Sequence, residues 1–191
     1  MNHDITELFC FIDDFYLSIK RESEKQRICN GEKIRNPTRT PGLTDSEIMT
    51  IMLMFQDSPF KNFKYFYKAC LSTRKQEFSL MPSYERFVVL MPSVLYLFVI
   101  LLSCMLRKGS KISYIDSTPL RVCHNKRIYS HKVCKGMAAR GKSTMGWFFG
   151  FKLHIIIDNE GNLLKVKMTN GSVHDTKVVL QMTEGMTTGV S

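Results

Sequence analysis

Asp116 lies in the stretch SYIDSTPLRVC, residues 113–123. It is the only Asp or Glu between Arg107 and Lys142, a span that holds ten Lys or Arg residues. A carboxylate in such a field has two chemical uses. It can help hold divalent cations through oxygen while the surrounding positive side chains hold a phosphate backbone, the arrangement that phosphodiester chemistry requires. It can also shape a turn, because an Asp followed by Ser, Thr and Pro bonds readily to nearby amides. One carboxylate does not make a two-cation site, so the residue types alone leave both uses open.

The cations behind Asp116 are Arg121, Lys126, Arg127, Lys132, Lys135, Arg140 and Lys142, and Lys152 and His154 could extend the same surface. The whole chain carries a formal charge of +10, and residues 107–142 supply nearly all of it. A local excess of this kind attracts polyanions, nucleic acid above all, because each neutralised phosphate releases counterions. Such contacts position a backbone without reading its sequence. Cys123, His124, His131 and Cys134 form a rival set of two thiols and two imidazoles, suited in type to zinc. Their spacing matches no finger pattern, and adjacent Cys123 and His124 are awkward joint ligands.

The elements that must carry these residues can be read from composition and period. At 191 residues, 44% hydrophobic and 23% charged, the chain can bury a real core. The six cysteines are widely spaced and follow no secretory signal, which predicts reduced thiols and a cytoplasmic protein. The longest apolar run, Val94–Leu106, falls short of the ~20 residues of a spanning helix, so no membrane segment is expected.

Residues 1–109 read as a helical domain. Ile5, Leu8, Phe9, Ile12, Phe15, Tyr16 and Ile19 recur at helical spacing, and a basic linker with Gly31, Pro37 and Pro41 follows. TDSE at 44–47 is a capping box before an apolar run, and Ser58 with Pro59 suits the start of the next helix. Such a pair raises the idea of a helix-turn-helix, although most are small helical cores. Two further helices are expected on either side of Pro92, with Gly109 closing the second.

From residue 110 the period changes to two. KISYID places Ile112, Tyr114 and Asp116 on one face of a strand, and GWFFGFKLHIIID alternates over its whole length. DNEGN is hairpin chemistry, leading to a third strand with Leu164, Val166 and Met168 inward and Lys165 and Lys167 outward. A helix then begins at a Ser172 cap with Asp175 at its third position, carrying Val173, Val179, Leu180 and Met182 as its apolar stripe. The fold class is therefore α+β: a helical domain, then three antiparallel strands and a helix.

YIDSTPLRVC, GMAARGKSTMGWFFGFKLHIIIDNEGNL and MTNGSVHDTKVV, in that order, resemble consecutive blocks of the catalytic domain of bacterial insertion-sequence transposases of the DDE type. LTDSEIMTIMLMFQDSPFKNFKYFY resembles their helical N-terminal region, so the likeness covers nearly the whole chain. It implies a ribonuclease H-like domain over 110–191 whose first strand bears the first acid of a metal-binding triad, here Asp116. It further implies Mg²⁺ as cofactor, transposon ends and target DNA as partners, and a homo-oligomer. Arg121, Lys126, Arg127, Lys132, Lys135, Arg140, Lys142 and Lys152 become the DNA-binding set.

The family's second acid sits in a block reading roughly Asp-Lys-Gly-Tyr and its third on a later helix, and neither block occurs in this sequence. Asp158, Asp175 and Glu184 each have a structural explanation in a turn, a cap or a helix end, and His174 with Asp175 could at most stand beside the site. The expectation is a truncated copy that binds Mg²⁺ poorly and does not cut DNA. The alternative is a non-catalytic DNA-binding or regulatory protein.

Overall fold

The computed structural model describes residues 4–30, 42–74, 77–78, 80–107 and 112–184. The linker at 31–41, the Gly109 cap and the tail from 185 lie outside them. The chain divides into two compact units, Met1–Ser103 and Cys104–Ser191. Residues 104–107, grouped with the helices on sequence grounds, thus fall in the second unit. The amide of Arg107 donates to Leu163 O at 2.9 Å, tying that segment to the sheet.

In the first unit α1 (Ile5–Cys29) starts at Asp4, whose carboxylate accepts from the Thr6 amide. The TDSE box forms as expected: α2 (Asp45–Gln56) has Thr44 accepting from Glu47 N at 3.2 Å, while Glu47 accepts from Thr44 N at 2.7 Å. The next helix, α3 (Phe63–Thr73), begins later than Ser58–Pro59 suggests. Ser58 Oγ donates back to Phe55 O at 2.7 Å and closes α2, while Asn62 supplies the cap by accepting from Lys64 N at 2.8 Å. Six residues therefore separate the helices, more than the three- or four-residue turn of a helix-turn-helix.

Ser83 caps α4 (Tyr84–Leu90), and a 3₁₀ turn over Met91–Val94 leads directly into α5 (Leu95–Met105). Pro92 sits at the start of that turn, where its missing N–H costs nothing, and the two expected α-helices lie on either side of it, joined through the 3₁₀ turn. The 22 residues Tyr84–Met105 are consequently helical throughout, long and apolar enough to cross a membrane, which counting only the Val94–Leu106 run overlooks. Phe87, Val94, Leu97 and Leu101 of this stretch are buried with Ile12, Met49, Ile51, Phe66 and Tyr67 in the unit's core. Tyr67 and Phe87 stack with centroids 4.7 Å apart, and the Tyr67 hydroxyl donates to Pro82 O at 2.8 Å.

The second unit holds β1 (Ser113–Cys123), β2 (Ala139–Ser143), β3 (Gly146–Asp158), β4 (Leu163–Asn170) and α6 (Asp175–Thr183). All strand pairings are antiparallel. Long β3 is central, with β1 along one side and β2 and β4 along the other. The sheet therefore has four strands where three were expected. The added one, β2, lies inside the basic stretch, and a tight turn at Thr144–Met145 returns it onto β3. Among the described residues no strand pairs with the outer edge of β1.

The side of the sheet that α6 covers also differs from expectation. Along β3 the buried positions are Phe148, Gly150, Lys152, His154, Ile156 and Asp158. Ile156 and Leu164 pack with Val178 and Met182 of α6, and Val173 completes the cluster. Lys165 and Lys167, read as outward-facing, lie on the helix side: Lys165 Nζ donates to Met182 O at 2.7 Å and Lys167 Nζ to Gln181 Oε1 at 2.6 Å. Their aliphatic stems cross apolar surface while the ammonium groups reach the carbonyls and side chains near the helix C-terminus, where positive charge is favourable. Met168, read as inward, is exposed, as is Leu180 on α6.

Candidate nucleic-acid interface and its acid

Asp116 sits midway along β1, opposite Ile155. Because side chains alternate across a strand, it shares a face with Tyr114, Thr118 and Leu120 of β1 and with Ile155, Leu153 and Phe151 of β3. This is the face that α6 does not cover. Asp116 is exposed, and its Oδ1 accepts from the amide of Ser117 at 2.8 Å, the only hydrogen bond seen for its carboxylate among the described residues.

The other acids stand apart from it. Asp158 points to the helix-covered face and organises the β3–β4 hairpin: its carboxylate accepts from Glu160 N at 2.9 Å, Asn162 N at 2.8 Å and Asn162 Nδ2 at 2.9 Å. These hydrogen bonds, led by the Asn162 side chain, hold its pKa below the ordinary aspartate value. Asp175 lies at the first position of α6 and binds Lys152 Nζ at 2.9 Å. The expected Ser172 cap is not used; Ser172 Oγ donates to Asn170 Oδ1, and His174 occupies the cap position without a side-chain bond. Glu184 follows the end of α6.

Among the described residues no group of three or more His, Cys, Asp or Glu side chains could hold a metal ion. Asp116 alone provides too few oxygen ligands for the magnesium centre that the resemblance implies, so these residues do not fit that group by themselves. The same holds for the zinc set. His124 Nδ1 accepts from the Lys126 amide, and His131 Nε2 is buried without a partner, so Cys123, His124, His131 and Cys134 do not converge.

Seven of the eight expected DNA-binding cations, Arg121, Lys126, Arg127, Lys132, Lys135, Arg140 and Lys142, are exposed. Lys152 departs from that expectation. It is buried under α6, and its ammonium donates to Val173 O at 3.0 Å and to Asp175, so it clamps the helix to the sheet and is not offered to a phosphate. His154, its neighbour on that face, is also buried and bonds Thr169 Oγ1 at 3.0 Å. Burial holds its pKa below 6.5, reinforced by the charges of Lys152 and Lys167 and opposed by Asp175.

Arg140 and Lys142 stand on β2 opposite Phe149 and Trp147, which places them on the same sheet face as Asp116. At about 3.3 Å per residue along β3, the eight positions from Trp147 to Ile155 separate this end of the face from Asp116 by roughly 26 Å. A bulge at Arg121–Cys123 keeps the end of β1 against β3, and it depends on Gly150. A Cβ at that position would lie 2.0 Å from Leu120 O. Neither the bulge nor the packing of Arg140 over Trp147, 5.1 Å from the ring centroid, is announced by residue spacing. The one available signal was the short hairpin sequence ARGKSTMGW, in which a diagonal cross-strand pair joins those two residues.

The family described as "Transposase DDE domain" matches residues 107–190, the whole of the sheet and α6. No curated protein and no solved structure matches the chain. The segment 107–190, which carries the four-stranded sheet, Asp116 and α6, is thus similar to the transposase DDE domain.

Proposed function

We propose that this chain acts on DNA as part of a DDE transposase of the insertion-sequence type, with the second unit forming the first portion of a ribonuclease H-like domain and Asp116 serving as its first catalytic acid. The observation that carries the reading is Asp116 itself, exposed on the sheet face left open by α6, the face that Arg140 and Lys142 also line. The exposed cations hold the DNA backbone along this surface, with no base read by them. Hydrolysis and strand transfer need further oxygen ligands than Asp116 supplies, and these 191 residues bind DNA without cutting it. The open edge of β1 and its uncovered face are where the remainder of such a domain would pair and pack.

Binding should weaken steeply with salt. If five of the seven exposed cations engage phosphates, log K falls against log salt with a slope of about −4.5. In chelator, where no divalent cation screens it, Asp116 repels the DNA it faces, so Asp116→Asn should tighten binding about two- to fivefold. Unchanged affinity in that variant would place the acid outside the DNA path and contradict the reading.

A further inference from the structure

Trp147 is the chain's only tryptophan, and it is 55% exposed at the cationic end of the sheet. Large aromatics normally bury most of their surface, so an exposed indole beside a basic strand needs a reason. Three features surround it. Arg140 lies over its ring with the guanidinium carbon 5.1 Å from the centroid, a cation–π placement. A cavity of about 390 Å³ opens beside it, lined by Arg121, Cys123, His124, Asn125, Trp147 and Phe148, within the ~300–1,000 Å³ range of small-ligand sites. The wall of that cavity is fixed: Asn125 Nδ2 donates to Trp147 O at 2.8 Å, and His124 Nδ1 accepts from Lys126 N at 3.3 Å.

Exposed aromatic surface, a guanidinium over it and adjoining positive charge together match an unpaired base better than a duplex backbone. Base–aromatic stacking tolerates any base because each has a π-face, and cation–π contact with Arg adds to it.

We propose that the site between Trp147 and the His124–Asn125 turn takes an unpaired nucleobase of a DNA strand whose backbone lies on the neighbouring cations. This rests on the reading of the chain as a DNA-acting protein and adds to it a preference for unpaired over fully paired DNA at this end of the sheet.

Because Trp147 is the sole tryptophan, its fluorescence in the full chain reports the site directly. A short single strand of thymidines should quench the emission strongly. A fully paired duplex and heparin, each at a concentration that saturates binding, should quench it little. Free thymidine monophosphate at the same base concentration should also quench little, since it lacks the backbone contacts. Trp147→Ala should weaken single-strand binding about tenfold, within the range of losing one stacked base, and change duplex binding less than twofold; Trp147→Phe should restore most of the loss. The proposal is overturned if single strand and duplex quench alike, or if single-strand binding leaves the emission unchanged. Absence of binding by either DNA form would instead sink the reading on which the proposal stands. The fluorescence arm uses the unsubstituted protein, so it remains decisive even if Trp147→Ala fails to fold.

Discussion

At the scale of single residues, the titratable groups on the helix-covered face of the sheet are spent on structure, whereas Asp116 keeps only a local bond to the Ser117 amide. Asp158 is held by three hydrogen bonds, Asp175 and Lys152 hold each other, and His154 is buried against Thr169. His154 has a measurable consequence. Its pKa in the folded chain is lowered, mainly by burial, from an ordinary 6.5. The unfolded chain therefore takes up the proton first, so the stability that neutral His154 contributes is complete above 6.5 and is lost as pH falls through 6.5 toward the lower folded value. Asp158, also lowered, contributes through a separate window that opens only as pH falls below about 3.9. His154→Gln can keep a bond to Thr169 while removing the titration. Thermal melts of the full chain between about pH 7 and pH 5 should show a larger decline for the unsubstituted protein than for His154→Gln. Parallel declines would show that His154 does not titrate on unfolding.

At the scale of elements, the sheet's geometry depends on close backbone approach. Gly150 lets β1 meet β3 at the bulge, where a side chain would face the backbone of Leu120 and Val122. Gly150→Ala should cost about 2–4 kcal/mol in urea unfolding of the second unit's transition, well beyond a surface substitution. A change within about 0.5 kcal/mol would mean that the strands can part there freely. This is also where reading the sequence ran out. The cap at Thr44, the period of α1 and the alternation of β3 are local, so they were legible. Which face of the sheet α6 covers is not local. Leu164, Val166 and Met168 alternate with Lys165 and Lys167, and hydropathy alone assigns the lysines to solvent. In the fold the lysines span to α6 and Met168 is exposed. Strand β2 was hidden for a related reason, since ARGKS carries no apolar alternation and is recruited by its pairing with Trp147–Gly150. The strand that carries Asp116 was legible because the alternation of KISYID is local.

At the scale of the whole chain, charge is the feature that joins these parts. The cations of residues 107–142 account for nearly all of the net +10, and among the described residues eight of them stand exposed in the same unit as Asp116. Beside them lies an apolar sheet face on which Tyr114, Leu120, Ile157 and Met168 are exposed, bordered by the edge of β1 with which no strand pairs among the described residues. A face and an edge of that kind favour association with further polypeptide, while the cations favour nucleic acid. On the proposed reading these residues carry DNA binding, while phosphodiester cleavage needs more than one carboxylate. The most direct test incubates supercoiled plasmid with the 191-residue chain and with Asp116→Asn, both with Mg²⁺, and resolves the DNA on a gel. The account predicts retarded, intact plasmid for both proteins; nicked or linear DNA that appears with the unsubstituted chain and disappears with Asp116→Asn would contradict it.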